Sequence, residues 1–470
     1  MNYEELGLKC GLEIHQQLDT RKLFCKCKSI VHDENPDIFF TRKLRPVAGE
    51  TGEIDQAAAH EMEKGKIMKY EACSTSSCLV EMDEEPPGQI NEEAVEISLQ
   101  IAKMLHMRIV DEIQVMRKTV IDGSNVGGFQ RTALIAMDGF LETSKGKVAV
   151  PTLCLEEEAA KKIKEDEKAI TYRLDRLGVP LVEIATDASM NDPEHAKETA
   201  SLIGMILRST KRVKRGIGTI RQDVNVSIKG SARVEIKGFQ DLRNMPLVID
   251  TEIRRLQKLE KHEPEVRKVN PDNTTSFLRP MPGAARMYPE TDVLPFKVNL
   301  EKITVPKLLT EQVKELEKKW KINDDAAKEL LDLDLVDQAE SFIAKNKNLE
   351  PKYIVEVMLA LPKEIKKRYK LDAEKLTEKE FSEVLLLINK EEVVREAAIE
   401  LLASFLQGKS ISEEAKKYAP INDKILLEEI KKIVQKNPGK PIGALMGIAM
   451  KELRGKVDGK KVNEFLNKLI

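Results

Sequence analysis

Acidic side chains and one histidine recur at positions whose neighbours belong in a buried sheet. Glu13 and His15 alternate with apolar residues, so both side chains face the same way from one predicted strand. Glu183 lies inside the apolar run 180–185, where burial of an unpaired carboxylate is costly. The further carboxylates of this kind are Glu156, Glu157, Glu158, Asp223 and Glu235. Because Mg²⁺ takes oxygen ligands of this type, the set indicates either a magnesium site or paired structural carboxylates.

A second group of residues combines cations with a glycine-rich turn at 122–128. Gly127 and Gly128 permit close backbone approach, and backbone N–H groups together with Lys and Arg can donate to a phosphate. The candidate nucleotide-binding residues are Arg117, Lys118, Ser124, Gln130 and Arg131. A tight hairpin beside charged side chains is the alternative interpretation.

Four cysteines form two close pairs, which are Cys25 with Cys27 and Cys73 with Cys78. In a reducing compartment, such pairs indicate a tetrahedral zinc site or free thiols. The spacings are not the commonest ones for zinc, so both alternatives stay open. A zinc-dependent hydrolase is disfavoured because an all-thiolate site is closed and more often structural.

Strands and helices must position these groups. Residues 9–18, 218–228 and 233–237 alternate between apolar and polar side chains, which predicts strands. If the last two form a hairpin, a loop at 230–232 keeps like faces together and sets Asn225 opposite Lys237. Helices are predicted to begin after Asn91 and at Asp192, where proline follows the cap, as is typical of a helix start.

The chain of 470 residues is long enough for about three domains. Its pattern predicts an α+β domain at 1–298, an all-helical domain at 299–408 and a small basic helical tail at 409–470. Although the net charge is −2, segment 208–237 carries +7 and segment 401–470 carries +6. This separation favours binding of a polyanion, and lysine-rich faces that serve solubility are the alternative.

Two classes of protein are disfavoured by the sequence. No apolar stretch approaches the roughly 20 residues that span a bilayer, so we expect a soluble, cytoplasmic protein without membrane contact. No Ser, Cys or Lys is arranged beside a base as an amide-hydrolysing nucleophile. If the protein uses ammonia, another protein must therefore release it.

Long motifs in the first 295 residues resemble one family. They include CGLEIHQQLD at 10–19, VMRKTVIDGSNVGGFQR at 115–131, YRLDRLGVPLVEIAT at 172–186, RGIGTIRQDVNVS at 215–227 and LRPMPGAARMYPETDV at 278–293. On these residues the chain resembles the kinase subunits of the tRNA-dependent amidotransferases, which comprise a B-type subunit in bacteria and organelles and an E-type subunit in archaea. The details are more similar to the archaeal branch.

The resemblance implies a fold and a reaction. The fold would be a cradle-like catalytic domain of mainly antiparallel sheets with helices, followed by a helical domain and a small helical tail. The reaction would be that of a carbon–nitrogen ligase with glutamine as amido-nitrogen donor. ATP, with Mg²⁺, would phosphorylate the side-chain carboxylate of glutamate mischarged on tRNA(Gln), and ammonia would displace the phosphate to form glutaminyl-tRNA.

The resemblance also implies roles for individual residues. It makes His15 and Glu157 ligands of Mg²⁺, with Glu13 supporting them. Asp223 and Glu235 would be further ligands or would hold bound water. Arg117, Lys118 and Arg131 would meet ATP phosphates or the substrate carboxylate. Lys237 would stabilise the acyl phosphate.

The implied partners are tRNA(Gln) charged with glutamate and an asparaginase-like D-type subunit that supplies ammonia, in a heterotetramer of two D and two E subunits. The basic tail would hold tRNA phosphates. The archaeal branch usually carries an insertion similar to one in bacterial aspartyl-tRNA synthetases, but here residues 261–270 run almost directly into the motif that begins near 277. This loss suggests an alternative, a noncatalytic scaffold that binds tRNA without consuming ATP.

Overall fold

The computed structural model describes residues 1–31, 35–43, 65–239, 241–281, 287–333, 335–419, 423–453 and 459–469. Residues 282–286 of the motif at 278–293 lie outside this part. The chain forms two compact units, Met1–Leu308 and Leu309–Ile470. The first unit mixes sheets with helices and the second is helical, which confirms the predicted α+β class. The domain boundaries expected at 298 and 408 stay predictions.

The first unit is built on strands. They are β1 (Lys9–Gln17), β2 (Ile38–Lys43), β3 (Ile67–Ala72), β4 (Arg108–Ile109), β5 (Glu112–Ile113), β6 (Val115–Thr119), β7 (Phe129–Thr143), β8 (Gly146–Glu157), β9 (Lys161–Glu165), β10 (Ala169–Arg173), β11 (Pro180–Ala185), β12 (Ile220–Ser227), β13 (Val234–Phe239), β14 (Glu265–Val269), β15 (Thr275–Pro280), β16 (Met287–Pro289) and β17 (Phe296–Lys297). The main sheet has the order β15-β14-β13-β12-β1-β11-β8-β7-β6-β16, with β4 beside β7. A smaller sheet has the order β2-β3-β10-β9, and β5 pairs with β17.

The main sheet must be strongly curved. Its edge strands β15 and β16 are separated by nine strand spacings, which would place the edges of a flat sheet roughly 43 Å apart. However, β15 ends at Pro280 and β16 begins at Met287, and seven residue steps reach at most about 25 Å. The sheet therefore bends into a trough, in keeping with the cradle-like domain that the motifs implied.

Three helices cover one face of this sheet. They are α1 (Glu92–Met104), α2 (Pro193–Ser209) and α3 (Met245–Leu256). The side chain of Asn91 accepts from the backbone of Glu93, and that of Asp192 accepts from the backbone of His195, so both predicted helix starts are confirmed. The apolar faces of these helices join those of the strands in one core, so the opposite face of the sheet is free for polar side chains.

The hairpin of β12 and β13 differs from the predicted register. Val226 lies opposite Val234 and Asn225 lies opposite Glu235, so the predicted pairing of Asn225 with Lys237 is wrong by two residues. Residues 228–233 form a longer connection, in which the backbone N–H of Ser231 donates to the carbonyl of Ile228. The shift is even, so like faces stay together as predicted.

The second unit contains ten helices among the described residues. They are α4 (Leu309–Trp320), α5 (Asp324–Asp332), α6 (Val336–Lys345), α7 (Pro351–Tyr369), α8 (Glu378–Asn389), α9 (Ala398–Leu406), α10 (Ile411–Ala415), α11 (Asp423–Lys436), α12 (Ile442–Glu452) and α13 (Gly459–Leu469). Two separate apolar clusters hold them, one built by α4 to α10 and one by α11 to α13. In the described part of the chain, no helix is both long enough and apolar enough to cross a membrane.

Candidate active site on the polar face of the main sheet

The face of the main sheet opposite the helices gathers charged side chains from neighbouring strands. On β1, Glu13 and His15 alternate with the buried Leu12 and Ile14, so the two polar groups project together. Register then fixes their neighbours: His15 lies opposite Glu183 on β11 and opposite Arg221 on β12. We call this surface the polar face. The other residues on it include Lys118, Glu156, Asp223, Glu235 and Lys237.

The first cluster on the polar face surrounds His15. Its Nε2 lies 3.4 Å from Oε2 of Glu183, and Nζ of Lys118 lies 3.5 Å from the same oxygen. Lys118 also lies 3.2 Å from Oε1 of Glu156, which accepts from the hydroxyl of Thr132. One ligand atom from each of His15, Glu156 and Glu183 fits within 4.8 Å of the others, a spacing that suits a single cation.

Burial and mutual charge set the protonation of this cluster. Burial and the neighbouring charge of Glu183 raise the pKa of Glu156 to about 7. Burial also raises the pKa of Glu183, but the hydrogen bond from His15 and the charge of Lys118 outweigh it, and the net shift is downward. Burial lowers the pKa of His15, whereas its hydrogen bond to Glu183 raises it, and the net shift is upward. At neutral pH the cluster therefore keeps Glu183 ionised, whereas Glu156 titrates close to this pH.

A second cluster lies further along β1 on the same face. Ligand atoms of Glu13, Asp223 and Glu235 also fit within 4.8 Å of one another. Lys237 contacts Glu235 and lies 2.6 Å from Oδ2 of Asp223, so its ammonium neutralises part of the negative charge. The amide of Asn225 donates to Glu13, and its buried Oδ1 has no hydrogen-bond partner among the described residues.

Glu157, predicted as a metal ligand together with His15, projects to the other face. Alternation along β8 puts Glu156 on the polar face and Glu157 opposite to it. The register separates the Cα atoms of His15 and Glu157 by roughly 14 Å, from two strand spacings and three residue steps. The carboxylate of Glu157 instead accepts from the backbone of Arg131 at 3.0 Å. The structure therefore places Glu156, and not Glu157, beside His15.

The predicted nucleotide-binding residues divide between the two faces. Lys118 lies on the polar face, whereas Arg117 and Arg131 both lie beside Phe129, at 5.0 and 5.1 Å from its ring centre. Buried Glu290 accepts from Nη2 of Arg117 at 2.5 Å and from Nε of Arg131 at 2.9 Å. Both arginines therefore already have a carboxylate partner within the protein.

Two further predicted residues of this group shape the chain locally. The hydroxyl and backbone N–H of Ser124 both donate to Asp122, which closes the glycine-rich turn. The amide of Gln130 donates to the carbonyl of Glu157 at 2.7 Å. Ser124 thus shapes the turn before β7, and Gln130 ties the start of β7 to the end of β8.

The cysteines meet in a different combination from the predicted one. Ligand atoms of Cys25, Cys27, Cys78 and Glu81 lie within 4.8 Å of one another, and Cys73 is not among them. Glu81 accepts from the thiol of Cys25 at 3.0 Å and from the backbone of Cys78 at 2.8 Å. Burial and then the charge of Asp175 raise the pKa of Cys73, whose backbone N–H donates to the same aspartate.

Sequence reasoning missed how four residues contribute to these centres. The sequence indicates that Glu156 and Glu183 are buried carboxylates, but only strand register shows that both lie on the same side of His15, on β8 and β11. Glu81 follows Cys78 by three residues, a spacing that could have suggested a fourth ligand. Glu290 lies on a loop at the sheet edge, and no pattern in the sequence distinguishes it.

The network around Glu290 makes a prediction about stability. Glu290→Ala would leave Arg117 and the buried Arg131 without their shared carboxylate, so we expect the free energy of unfolding to fall by about 3 to 5 kcal/mol. Glu142→Ala, which removes an exposed carboxylate 3.8 Å from Lys147, is the control and should cost about 0.5 kcal/mol or less. Urea denaturation followed by circular dichroism measures both, and equal small losses would contradict the prediction.

Comparison with known proteins agrees with this architecture. A model of the GatB/GatE catalytic domain matches residues 8–304, and a model described as the GatB domain matches residues 337–470. The chain is 35% identical to the E subunit of glutamyl-tRNA(Gln) amidotransferase from Methanocaldococcus jannaschii, over 100% of this chain and 99% of that relative. It is 36% identical to the protein of the same name from Archaeoglobus fulgidus, with the same coverage of both chains.

The alignment lengths show where the chain departs from these relatives. The alignment with the Methanocaldococcus jannaschii protein spans 624 positions, 154 more than the 470 residues of this chain. This difference confirms that residues present in that relative have no counterpart here. The match over full length, at more than a third identity, nevertheless shows that the chain belongs to the GatB/GatE family, in the branch formed by the E subunits of glutamyl-tRNA(Gln) amidotransferase.

Proposed function

We propose that this chain catalyses the ATP-dependent conversion of glutamate, esterified to tRNA(Gln), into glutamine. The observation that carries the proposal is the convergence of His15, Glu156, Glu183 and Lys118 on one face of the curved sheet. The relatives are, by name, components of a glutamyl-tRNA(Gln) amidotransferase. Amidation of glutamate on tRNA is a reaction that the imidazole, the two carboxylates and the ammonium group of this cluster suit.

Two steps make up the proposed reaction. An oxygen of the glutamate side-chain carboxylate attacks the γ-phosphorus of ATP, and the bond to the bridging oxygen breaks to release ADP. Ammonia then attacks the carbonyl carbon of the acyl phosphate, loses a proton, and expels inorganic phosphate to leave the amide. Neither step needs a protein nucleophile, so the protein must chiefly position the reactants and neutralise charge.

The polar face offers charges suited to that task. Lys118 and Lys237 are held by Glu183 and Asp223 on the two strands that flank β1, so their ammonium groups are fixed in direction. We assign contact with the ATP phosphates to Lys118 and stabilisation of the acyl phosphate to Lys237. Arg117, Ser124, Gln130 and Arg131 would act by supporting the turn and strand ends beside the nucleotide, because each side chain already has a polar partner inside the protein. Nε of Arg117 is the exception, since it is buried without a hydrogen-bond partner among the described residues.

The two acidic clusters fit Mg²⁺. The buried Nδ1 of His15 and Oδ1 of Asn225 have no hydrogen-bond partner among the described residues, and the carboxylates around them supply hard oxygen ligands. His15, Glu156 and Glu183 would hold one ion, and Glu13, Asp223 and Glu235 would hold a second ion or its bound water. Bound Mg²⁺ would neutralise charge on the phosphates. In this assignment Glu157 anchors Arg131 and is not a ligand.

The proposed reaction requires a source of ammonia and a tRNA substrate, and these requirements identify the partners. The sequence arranges no nucleophile for amide hydrolysis, so ammonia would come from a separate, asparaginase-like D-type subunit, in a heterotetramer of two D and two E subunits. The tRNA substrate would place the complex in the cytoplasm, and the basic tail at 409–470 would contact tRNA phosphates. The competing proposal of a noncatalytic tRNA scaffold predicts binding without ATP consumption.

Removal of the carboxylate beside His15 tests the catalytic proposal. We expect Glu183→Gln to lower kcat for ATP- and ammonium-dependent glutamine formation by about 100-fold or more, because the cluster loses its ionised member. Glu142→Gln, at the exposed tip between β7 and β8, should stay within about twofold of the wild type. Turnover of glutamyl-tRNA(Gln) measures both variants. Normal turnover by Glu183→Gln would remove the assignment of this cluster, and no ATP consumption by the wild type would favour the scaffold.

The raised pKa of Glu156 predicts that cation binding depends on pH. Below about 7 this carboxyl is protonated and cannot offer an anionic ligand, so affinity for Mn²⁺, used in place of Mg²⁺, should fall about tenfold or more from pH 8 to pH 6. Glu156→Gln should bind Mn²⁺ more weakly at pH 8 and lose less affinity on acidification. Electron paramagnetic resonance titrations measure free Mn²⁺, and identical pH profiles would contradict the prediction.

We also propose that Cys25, Cys27, Cys78 and Glu81 hold a structural zinc ion. Three thiolates and a carboxylate complete a tetrahedral set, and the burial of Lys22, 3.9 Å from Glu81, limits solvent access. Cys25→Ser should therefore lower the zinc content of the purified chain from one ion to less than about 0.2. Cys73→Ser is the matched control, because Cys73 is also buried but faces Asp175. Mass spectrometry of metal content measures both, and equal losses would contradict the assignment.

A further inference from the structure

The smaller sheet, β2-β3-β10-β9, has one face that the protein core does not use. Its inner face is apolar: Phe40 stacks on Tyr70 at 5.0 Å, and Tyr70 stacks on Tyr172 at 6.1 Å between ring centres. The hydroxyls of Tyr70 and Tyr172 donate to the carbonyls of Gly123 and Asp122, which fixes this sheet to the glycine-rich turn. The outer face is therefore rigid as well as exposed.

Strand register places lysines and small polar groups in rows on this outer face. Thr41, Lys69, Thr171 and Lys164 lie opposite one another across all four strands. In the next row, Arg173 lies opposite Lys161 and forms an ion pair with Glu71 at 3.2 Å. We call this surface, with Lys43 at its end, the basic face.

Several cations of the basic face have no carboxylate partner among the described residues. They are Lys43, Lys69, Lys161 and Lys164, and all four are exposed. Among the nearby acids, Glu165 pairs with Lys66 and with Lys162, and Glu71 pairs with Arg173. Asp166 accepts from the backbone N–H groups of Lys168 and Ala169; it attracts Lys164 and Lys69 through its charge but forms no ion pair with them in the described part of the chain. Arg173 and Lys161 are like charges opposite one another on paired strands, so they repel each other and do not stabilise the fold.

Protection of a sheet edge explains only part of the pattern. Lysines on an exposed edge strand prevent pairing with another chain, and this accounts for Lys161, Lys162 and Lys164 on β9. Lys69, however, lies on β3, which has β2 on one side and β10 on the other. An unpaired lysine on an interior strand, between two threonines, indicates a surface that meets an anionic partner.

We infer that the basic face binds the phosphate backbone of the tRNA substrate. Lys69 and Lys164 lie two strand spacings apart, roughly 10 Å at the backbone, and their long side chains can reach different phosphates. Phe39, with 65% of its surface exposed, adds an apolar patch beside them that can pack on a ribose or an unpaired base. This inference rests on the proposed function for the identity of the RNA. It adds a tRNA contact in the first unit to the tRNA contact already proposed for the tail at 409–470.

Charge removal at Lys69 and Lys164 tests the inference in the full-length chain. We expect Lys69→Gln and Lys164→Gln each to weaken binding of tRNA(Gln) about three- to tenfold and to reduce the slope of log Kd against log salt by about one. In the double variant, the slope of log Kd against log salt should fall by about two. The KM for glutamyl-tRNA(Gln) should rise in parallel, with kcat falling less than about twofold, because the lysines contact the RNA outside the polar face.

Lys162→Gln is the matched control. It removes the same charge from the same edge strand, but this lysine is held by Glu165 at 2.7 Å, so tRNA affinity should change less than about twofold. Filter binding between 50 and 300 mM KCl, a range of roughly sixfold in salt, measures the affinity and slope of each variant. Unchanged affinity and slope in the double variant would overturn the inference, as would an equal loss in Lys162→Gln. If the protein forms no glutamine but its salt-dependent tRNA binding still requires Lys69, the basic face remains a tRNA-binding surface and the proposed catalysis is rejected.

Discussion

The cost of burying several carboxylates on one sheet face is the constraint on which the candidate site depends. Glu13, Glu156, Glu183, Asp223 and Glu235 lie on neighbouring strands, where like charges repel and water cannot fully solvate them. The protein supplies countercharges to each cluster, Lys118 with His15 to one and Lys237 to the other. A raised pKa at Glu156 shows that this compensation is incomplete. A divalent cation would complete it, so the electrostatic deficit of the fold and the requirement of phosphoryl transfer point to the same ligand.

The two-residue period of a strand lets adjacent residues serve two different centres. Glu156 and Lys118 project to the polar face, whereas their chain neighbours Glu157 and Arg117 project to the opposite side. There, Glu290 joins Arg117 to Arg131, and Arg131 joins Glu157. The same strands therefore carry the clusters of the candidate site on one side and a network of paired charges on the other. A shift of register by one residue would exchange the two sets, which explains why both are tied down by side-chain bonds.

Local patterns in the sequence were sufficient where a local interaction decides the structure. The caps at Asn91 and Asp192 and the alternation in β1 depend on neighbours in the chain, and all three were predicted correctly. The errors arose where distant segments meet. The run of three glutamates at 156–158 does not reveal which member faces His15, because that depends on the pairing of β8 with β11. The hairpin register failed because loop length, unlike face, is not fixed by alternation.

The thiol cluster is connected to the polar face through a short series of interactions. Glu81 joins the segment of Cys25 to that of Cys78, and its charge is also felt by buried Glu157. Glu157 holds Arg131, and its backbone carbonyl accepts from Gln130, which lies opposite Lys118 on β6. The step from Glu81 to Glu157 is an interaction between charges, and the steps from Glu157 to Lys118 are a hydrogen bond and strand pairing. The segments of the cysteines are thereby connected to the strand that carries Lys118. In the proposed function the cysteines would therefore take no direct part in the chemistry and would act only through this connection to the strand of Lys118.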